Sequence, residues 1–508
     1  MQGVKIDIGR FDLVGLALLT LLTRVPFMSR APYDMDSVNF LLGIAHYSPE
    51  LHQPHPPGYF LYIMAGRLIA ALVGDAHLAL LILSIVATML AAWGVYALAK
   101  LWYGVLAARF AALILIFSPL AWFHGEVALT YAVEMAFSAW IGWWAWRLWQ
   151  GEQRLAIPLA LLLALAAGFR QSTALFLLPL LVLALSTSSW QVGWRAVLAF
   201  VLGCLAWFIP MVEAAGGGAV YFQSLIDLWE RVPASRTVMS HDVDGFELAL
   251  TRLALVVTGM VLALGATVML LMPSYQPAIG RSRKVFLLVW MVPALAFFVL
   301  VFLHAANMGY LLLLAPPLFV LAGGALAHLW QKDVATPLGG KISILLVAGV
   351  INGAIFIASP AYLSYASIAQ HDRFMQSLPL MIQRHGGAGV DAVIALDEHF
   401  YGFRHLGYVL PDRLTLLFPE MDSRGQWRIF SMNHGETRWL ECLPQGGFSL
   451  LVASLANRPK IDYFKTLLPS DQVTWSEESG MALIHLPSSL LPRLYPEFAR
   501  QSVCGGGA

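Results

Sequence analysis

The chain has 508 residues, of which 59% are hydrophobic and only 12% are charged. A soluble domain carries about 25% charged residues, so this composition indicates a polytopic membrane protein. The net charge of +1 and the lack of a long Lys/Arg run argue against a nucleic-acid-binding protein. The cysteines have no metal-ligand spacing and argue against a zinc ribbon or a disulfide-built module; they are Cys204, Cys442 and Cys504.

The N-terminal segment predicts a retained first helix rather than a removed signal peptide. Lys5 and Arg10 precede an apolar run that starts at Phe11, and no small-residue cleavage site follows. A helix of about 20 apolar residues spans a bilayer. By that criterion further spans are expected, and the set is 11–28, 78–99, 107–123, 127–146, 196–213, 248–272, 285–303, 308–329 and 342–359.

Two other apolar stretches are too short for simple spans. Segment 155–186 is interrupted by polar residues at 168–172, which divide it into two pieces of about 15 residues and predict a hairpin of two shortened helices. Segment 59–73 carries Arg67 and is interpreted as a helix lying at the membrane interface. Eleven helical passes follow when the hairpin counts as two.

The positive charges support this count, because Lys and Arg accumulate in cytoplasmic loops. A cytoplasmic N-terminus places every basic connection inside, namely those with Lys100 and Arg109, Arg147 and Arg154, Arg195, Arg281, Arg283 and Lys284, and Lys332 and Lys341. Counting 59–73 as a full span would invert all later loops. The predicted extracytoplasmic parts are therefore the loop after the first helix, the connection 122–126, segment 214–247 and everything after Pro360.

The expected architecture is an all-α membrane domain at 1–369 and a small extracytoplasmic α/β domain at 370–508. The second part is more polar and shows an amphipathic helix near 373–384 and strands at 392–396 and 448–453. Its role is left unassigned. No short-period internal repeat is found, which argues against the inverted repeats of many secondary transporters.

The loop after the first helix carries the first candidate catalytic groups. Asp34 and Asp36 flank Met35, where a partly desolvated carboxylate can act as a general base. The alternative is that both are solvated loop residues, with Asp36 capping a helix that starts at Ser37.

The next predicted exterior connection adds a second acid. Glu126 is brought to the same side of the membrane as Asp36, so two loops offer carboxylates to one site. His124 is a candidate ligand or hydrogen-bond donor, or else a packing residue in an aromatic setting. Glu134 lies within a predicted span, where an ionisable group is costly and faces a partner or a polar cavity.

The return of the first loop is stiffened by its prolines, because each proline restricts its own φ and the residue before it. His55 and Tyr59 lie at the two ends of a His-Pro-Pro-Gly-Tyr sequence and are candidate substrate-binding residues. His46 and His52 could join the aspartates in a metal site, although their spacing matches no recognised ligand motif. No cofactor is required by the sequence, and a divalent metal stays an open alternative.

Arg170 lies in the break of the apolar hairpin and is the second strong signal. A guanidinium at such a position needs a partner. Arg binds phosphate bidentately, and the helix N-terminus at Gln171 adds a favourable dipole, so a lipid phosphate is a natural ligand. A structural ion pair with Glu134 or Glu126 is the alternative. His304, Asn307 and Tyr310 begin a later span and could contact a headgroup or sugar, or form an interfacial belt.

These motifs together resemble GT-C type integral-membrane glycosyltransferases, close to the protein O-mannosyltransferase and aminoarabinose transferase superfamily. The similarity covers about 11–330 and rests on Asp36-Ser37 followed by Phe40, the 55–59 return with its interfacial helix, and the second acid at Glu126. The Gly-Phe-Arg-Gln hairpin and the segment from Tyr310 to Pro317 also resemble bacterial members.

The resemblance implies transfer of a sugar from a polyprenyl-phosphate donor to a protein, lipid or glycan acceptor on the outer face of a bacterial inner membrane. Asp36 would be the base and Arg170 would bind the donor phosphate. Many members have Asp-Glu where this chain has Asp36-Ser37, which leaves open whether Asp34 takes the second acid's role and weakens any transfer of metal dependence. The rival classes are a transporter or flippase of a lipid-linked sugar and a glycan polymerase or ligase.

Overall fold

The computed structural model describes residues 9–231, 237–240, 244–271, 279–333, 337–359, 363–386, 390–395, 403–417, 420–421, 427–433, 436–440, 447–478, 480–494 and 496. Its contacts divide the chain into two compact units. The first unit comprises 1–29 and 56–368, and the second comprises 30–55 and 369–508. The sequence placed 30–55 with the membrane domain, whereas in the structure this segment packs with the C-terminal residues.

The elements up to residue 214 are almost all helical. In chain order they are α1 (Arg10–Arg24), a 3-10 turn (Val25–Phe27), α2 (Met35–Ala45), a 3-10 turn (Pro49–Leu51), α3 (Phe60–Val73), α4 (Ala76–Tyr103), α5 (Val105–Ile116), α6 (Pro119–His124), α7 (Tyr131–Trp149), a 3-10 turn (Gln153–Leu155), α8 (Ala156–Phe169), α9 (Gln171–Leu185) and α10 (Trp190–Ala214).

The later helices continue to the end of the first unit. They are α11 (Gly218–Arg231), α12 (Gly245–Leu264), α13 (Thr267–Leu271), α14 (Arg281–Leu300), a 3-10 helix (Ala305–Leu313), α15 (Ala315–Lys332), α16 (Leu338–Ala358) and α17 (Tyr365–Gly386), the last of which runs into the second unit.

Among these described helices, five are long and apolar enough to cross a membrane, and up to seven if each of two bent pairs is one span. The five are α4, α10, α12, α14 and α16. The expected spans 107–123 and 308–329 are bent, by 60° between α5 and α6 and by 66° between Ala305–Leu313 and α15. Predicted span 248–272 ends in the short α13, and its last residue lies outside the described residues. The total of eleven passes stays a prediction.

Small residues allow the helices of the first unit to approach each other closely, as is common in membrane bundles. Gly142 on α7 faces Trp290 on α14, and a Cβ atom at Gly142 would lie only 2.0 Å from Cη2 of Trp290. Trp290 is fully buried and donates through Nε1 to Oγ of Ser138 at 3.1 Å, and that hydroxyl donates to the carbonyl of Leu313 at 2.6 Å. Helix α7, helix α14 and the 3-10 helix Ala305–Leu313 are therefore joined here by close packing and two hydrogen bonds.

The C-terminal part of the second unit is a mixed eight-stranded sheet flanked by helices. Its strands are β1 (Val390–Ala395), β2 (Leu414–Leu417), β3 (Glu420–Met421), β4 (Trp427–Asn433), β5 (Glu436–Leu440), β6 (Phe448–Ser454), β7 (Thr474–Glu478) and β8 (Met481–Pro487). The strand order is β3-β4-β2-β1-β6-β8-β7, with β5 beside β4. Strand β1 runs parallel to β2 and β6, and the other pairs are antiparallel. The predicted helix and both predicted strands are confirmed, with Leu396 outside the described residues.

Alternate residues of a strand point to opposite sides of a sheet, and in this sheet both sets are buried in hydrophobic clusters. Ile394 of β1 packs on α19 (Arg458–Leu467) through Phe464, beside the terminal helix α20 (Leu491–Leu494). Val393 points to the other face, which is covered by α17 and α18 (Phe403–Val409). Helix α2 joins that second face through Val38 and Leu42. The loop that carries the two aspartates is thus part of the core of the α/β unit.

The close approach at Gly142 makes a stability prediction. Gly142→Ala should lower the stability of the purified protein by about 1–3 kcal/mol, because the added Cβ meets a buried ring that has no room to move. Gly193→Ala is the matched control, since no atom lies within 4 Å of its Cβ position on α10. Thermal unfolding in detergent measures both. A Gly142→Ala protein at least as stable as the control would contradict the packing described.

Candidate active site

The first candidate group surrounds Arg170 in the first unit. Helix α8 ends at Phe169 and α9 begins at Gln171, while Arg170 between them has an extended backbone with φ −157° and ψ 114°. The predicted hairpin with a break at 168–172 is therefore confirmed. The break turns one residue out of the helical path and leaves its side chain pointing into the bundle, where it is 5% exposed.

The guanidinium is held by polar side chains from α7 and α9. Its Nε lies 3.3 Å from Oε1 of Glu134 and donates to Oγ of Ser172 at 3.3 Å, and its Nη1 donates to Oγ1 of Thr130 at 2.7 Å. Thr173 donates to Oε1 of Glu134 at 3.0 Å. Glu134 is 3% exposed, so this is a buried ion pair. The alternative of a pair with Glu134 is thus realised in the structure.

Three tyrosine rings enclose the same guanidinium. The distances from Cζ of Arg170 to the ring centroids are 5.6 Å for Tyr59, 4.9 Å for Tyr131 and 4.4 Å for Tyr310. A cation within about 6 Å of an aromatic centroid is attracted to the ring face. We call these three side chains the tyrosine cage. Tyr59 caps α3 with φ +46°, a left-handed conformation that non-glycine residues rarely adopt.

Tyr131 is a member of the cage that the sequence analysis missed. It lies one helical turn before Glu134 on α7, and that spacing alone could have indicated that both face Arg170. Its ring packs against Gly309, where a Cβ atom would lie 2.2 Å from Cδ2 of Tyr131. The lack of a side chain at Gly309 therefore allows the Tyr131 ring to pack directly against the segment that carries Tyr310.

Gln171 and His304 make local contacts. Nε2 of Gln171 donates to the carbonyl of Pro57 at 3.2 Å, and Tyr221 donates to the same carbonyl at 3.1 Å. These bonds hold the start of the chain that leads to Tyr59. Nδ1 of His304 accepts from the amide of Ala306 at 3.2 Å. Neither contact tests the predicted role in substrate binding, which stays a prediction.

Glu126 and His124 are buried in the first unit, 0% and 2% exposed. Among the described residues, neither Glu126 oxygen and neither ring nitrogen of His124 has a hydrogen-bond partner. The ring of His124 packs edge-on against Tyr131, with centroids 5.0 Å apart. Arg24 is also buried and donates to the carbonyl of Ile116 at 2.8 Å. The packing interpretation of His124 is consistent with these contacts.

The second candidate group is the acidic loop of the second unit. Helix α2 begins at Met35, and Asp34 is its N-cap, with its carboxylate accepting from the amide of Asp36 at 2.9 Å. The amide of Asp34 donates to Oγ of Ser37 at 3.4 Å, which completes a capping box. The expectation that Asp36 caps a helix starting at Ser37 is wrong: the Asp-x-x-Ser spacing moves the cap back to Asp34 and frees Asp36 from that task.

Asp36 is paired with His55. Oδ1 of Asp36 lies 3.2 Å from Nδ1 of His55, and the two side chains are 24% and 19% exposed. The ring of His55 lies 6.4 Å from that of Phe40 on α2. The two side chains are thus within ion-pair distance, and their remaining exposure leaves the pair within reach of a solvent-borne molecule. The loop therefore presents an accessible carboxylate beside an imidazole.

Asp34 differs from an ordinary aspartate in its titration. Burial raises the pKa of Asp34 to about 7, and the neighbouring negative charge of Asp36 acts in the same direction. The hydrogen bond from the amide of Asp36 opposes the rise. Interacting carboxylates titrate as a pair, so the raised pKa belongs to Asp34 and Asp36 together.

The described residues contain no group of three or more His, Cys, Asp or Glu side chains that could hold a metal ion. Asp34, Asp36 and His55 belong to the second unit, whereas Glu126, Arg170 and the tyrosine cage belong to the first. The joining of the two exterior acids in one site stays a prediction.

Residues 54–213 match the family model described as dolichyl-phosphate-mannose-protein mannosyltransferase. The matched part is less than a third of the chain and contains Tyr59, Glu126, Glu134 and Arg170. A search of curated protein sequences finds no significant match.

Solved structures show a similar fold over nearly the whole chain. ArnT from Cupriavidus metallidurans bound to undecaprenyl phosphate has a TM-score of 0.56 and 14% identity, with 94% of this chain and 98% of ArnT covered. The apo state of the same protein gives 0.52 and 14% over the same shares. The archaeal oligosaccharyltransferase AglB from Archaeoglobus fulgidus is less similar, with a TM-score of 0.43 and 12% identity over 78% of this chain and 63% of AglB.

The fold class is therefore the one that the sequence implied. The chain has a GT-C type architecture, with a polytopic helical membrane domain and a small α/β domain at its C-terminal end. The resemblance to this class, drawn first from the acidic loop, the hairpin arginine and the second acid, is confirmed.

The acidic pair makes a titration prediction. The carboxyl of Asp34 should remain protonated up to a pH of about 7, and Asp36→Asn should lower its pKa because a neighbouring negative charge is removed. Infrared spectroscopy of protein with isotope-labelled aspartate measures the carboxyl band, and Asp34→Asn should abolish it. A raised pKa in the folded state also means that stability falls as the pH rises from about 4 to about 7. If the band of the protonated carboxyl is already lost below pH 5 as the pH rises, or if it is unchanged in Asp34→Asn, the assignment of the raised pKa to Asp34 is wrong.

Proposed function

We propose that the protein is a membrane glycosyltransferase that moves a sugar from a polyprenyl-phosphate donor to an acceptor on the extracytoplasmic side of the membrane. The observation that carries the proposal is the buried Arg170 in its tyrosine cage, directly after Phe169, which lines an apolar groove. A buried cation and an apolar groove in one helical bundle suit a ligand with an anionic head and a hydrocarbon tail.

The groove lies between α4, α7 and α8. It has a volume of about 340 Å³, and its lining is almost entirely apolar. Phe169, which directly precedes Arg170, lines one part, and its ring lies 5.4 Å from that of Phe137. Val86 and Leu165 also line it and are 40% and 44% exposed, which leaves the groove accessible from the lipid side. A prenyl chain gains by burial of its apolar surface in such a groove.

The polar side of the cage suits a phosphate. The hydrogen bonds among the described residues use Nε and Nη1 of Arg170 and not Nη2. Glu134 contacts the Nε edge and fixes the plane of the guanidinium. A phosphodiester donor carries one negative charge, and its phosphate gains a second when the sugar leaves. Arg170 would stabilise that developing charge. Electrostatic stabilisation of charge that develops in the transition state is usually the largest single contribution to catalysis.

The proposed reaction is an inverting displacement. Asp36 takes the proton of an acceptor hydroxyl or amine, the acceptor atom forms a bond to the anomeric carbon, and the bond between that carbon and the phosphate oxygen breaks. The electron pair leaves with the polyprenyl phosphate. General-base assistance of this kind contributes about 10²–10⁴ in rate. Asp36 is proposed for this role because it is accessible and lies beside His55, whereas Asp34 is engaged as the helix cap.

The sidedness and the donor class have independent support. The basic connections favour a cytoplasmic N-terminus and an acidic loop on the outer side, and we propose a bacterial inner membrane as the location. The matched family is named for a dolichyl-phosphate sugar donor, and ArnT was crystallised with undecaprenyl phosphate. The acceptor class, whether protein, lipid or glycan, is left open.

Arg170 and Glu134 make opposite predictions for donor binding. Arg170→Ala should weaken the binding of undecaprenyl phosphate at least about tenfold, since a charge-assisted hydrogen bond is lost. Glu134→Gln keeps the shape of the cage and removes the competing negative charge, so it should bind this probe as tightly as the wild type or more tightly. Titration of purified protein in nanodiscs measures both affinities.

A matched control is Arg147→Ala. Arg147 also pairs with a glutamate, Glu152 at 2.7 Å, and also lies over an aromatic ring, that of Trp143. Its loss should leave the affinity for undecaprenyl phosphate unchanged. Equal losses in Arg170→Ala and Glu134→Gln would show that the ion pair is only structural and would contradict phosphate binding by Arg170.

Asp36→Asn should separate chemistry from binding. Release of polyprenyl phosphate from a polyprenyl-phosphate sugar should fall by about 10²-fold or more, while the affinity for undecaprenyl phosphate is unchanged. Asp75→Asn is the control, because Asp75 is a helix N-cap, on α4, outside the proposed machinery. Release of polyprenyl phosphate by Asp36→Asn at nearly the wild-type rate would contradict the assignment of Asp36 as the base.

A further inference from the structure

The chain entering the acidic loop is held by residues of the C-terminal part of the same unit. The carboxylate of Asp372 accepts from the amides of Arg30, at 3.0 and 3.1 Å, and Ala31, at 2.9 Å. Nε2 of His371 and Nε2 of His405 lie 2.9 and 3.2 Å from the carbonyl of Pro32. A carbonyl only accepts, so both imidazoles carry their proton on Nε2. Three successive loop residues directly before Tyr33 and Asp34 are thus fixed.

Both histidines are suited to this task by their surroundings. They are 3% and 0% exposed, and their ring centroids lie 5.5 Å apart. Burial lowers the pKa of His371 to about 4 and that of His405 to about 3. Both therefore remain neutral donors at physiological pH, and the bonds to Pro32 do not switch within that range.

The chain leaving the loop is held in the same manner. Nη2 of Arg404 donates to the carbonyl of Leu51, and its Nη1 donates to Oγ1 of Thr437 at 3.0 Å. The side-chain amide of Gln53 donates to the same hydroxyl of Thr437. Arg404, Thr437 and Gln53 are all buried. Gln53 is two residues before His55, so this cluster fixes the backbone directly next to the partner of Asp36.

Between these two points, helix α2 is anchored by its apolar face. Val38 and Leu42 belong to one core cluster with Phe374 and Leu378 of α17. Gly43 lies against the return of the loop, where a Cβ atom would be 2.9 Å from Cδ of Pro54. The helix, its entry and its exit are thus all bound to the α/β fold.

We propose that the C-terminal α/β unit is the positioning element of the acidic loop, in which Arg404, Thr437, His371 and Asp372 hold the Asp36–His55 pair through the backbone on both sides. The inference rests on the proposed function for its catalytic meaning. Catalytic groups have to be held within about 0.5 Å of their productive geometry, and isolated loops are mobile. The domain that had no assigned role supplies the rigid frame that a loop-borne base requires.

Arg404→Gln tests the proposal in the full-length protein. Hydrogen exchange of peptides from 33–55 should become about tenfold faster or more, whereas peptides from β6 and β8 should exchange as in the wild type. The kcat for release of polyprenyl phosphate should fall about 10²-fold, the size of loss that a misplacement of about 1 Å causes. The affinity for undecaprenyl phosphate should not change, because Arg170 belongs to the other unit.

Three further variants make the test specific. Arg404→Lys keeps one donor for the carbonyl of Leu51 and should restore part of kcat. Thr437→Val removes the shared hydroxyl at nearly constant volume and should also speed exchange in 33–55 and lower kcat. It takes the place of Arg404→Gln as the test if Arg404→Gln does not fold. Arg458→Gln is the matched control, because Arg458 on α19 is an exposed arginine that pairs with Glu477 at 2.7 Å; it should change neither exchange nor kcat.

Two results would overturn the proposal. One is unchanged exchange in 33–55 in both Arg404→Gln and Thr437→Val. The other is faster exchange throughout the sheet, which would show that Arg404 supports the domain as a whole. A wild-type protein without turnover would contradict the proposed function instead, and the exchange pattern alone would then decide whether the α/β unit holds the loop.

Discussion

The buried ion pair between Arg170 and Glu134 is the constraint on which the first unit depends. Removal of one partner of such a pair costs about 3–5 kcal/mol, because the other is left as an uncompensated charge. The surroundings meet this requirement: the hairpin break turns the arginine inward, the hydroxyls of Thr130 and Ser172 accept hydrogen bonds from its guanidinium, and the tyrosine cage covers its faces. An ion pair whose two charges only compensate each other would have a structural role alone. In the proposed function this cation has a further use, as the anchor for the head of a lipid whose tail lies in the apolar groove that the adjacent Phe169 helps to line.

The second unit has a different task in the proposed mechanism, which is to hold the proposed base, Asp36, on its loop. A loop between a membrane helix and an interfacial helix has few neighbours of its own. Residues 30–55 belong to the α/β unit and contribute Val38 and Leu42 to its core, and we propose that this packing holds the carboxylate of Asp36 in place although it does not lie on a strand. The division of labour follows from the physics of the two parts. A bundle in a membrane can bury apolar lipid, and a polar domain can satisfy the many backbone groups of a sharply turning loop.

Much of this could be derived from the sequence because it depends on local patterns. The helix break at Arg170 followed from polar residues inside an apolar segment, and strands β1 and β6 followed from short apolar runs. The predicted start of α2 at Ser37 is two residues late, because the Asp-x-x-Ser capping box makes Asp34 the N-cap. Tyr131 was missed, although its spacing from Glu134 indicated a shared face. The anchoring of Pro32 by His371 and His405 joins residues more than 330 positions apart, and nothing in a single sequence encodes such a pairing.

The central claim is that the cage and groove hold a polyprenyl phosphate. Mass spectrometry of lipids that co-purify with the wild-type protein from its native membrane tests it most directly. The account predicts a polyprenyl phosphate, free or bearing a sugar, in near-stoichiometric amount, and its loss from Arg170→Ala purified in parallel. Recovery of bulk phospholipids alone from both proteins, in the same proportions as in the membrane, would contradict the account.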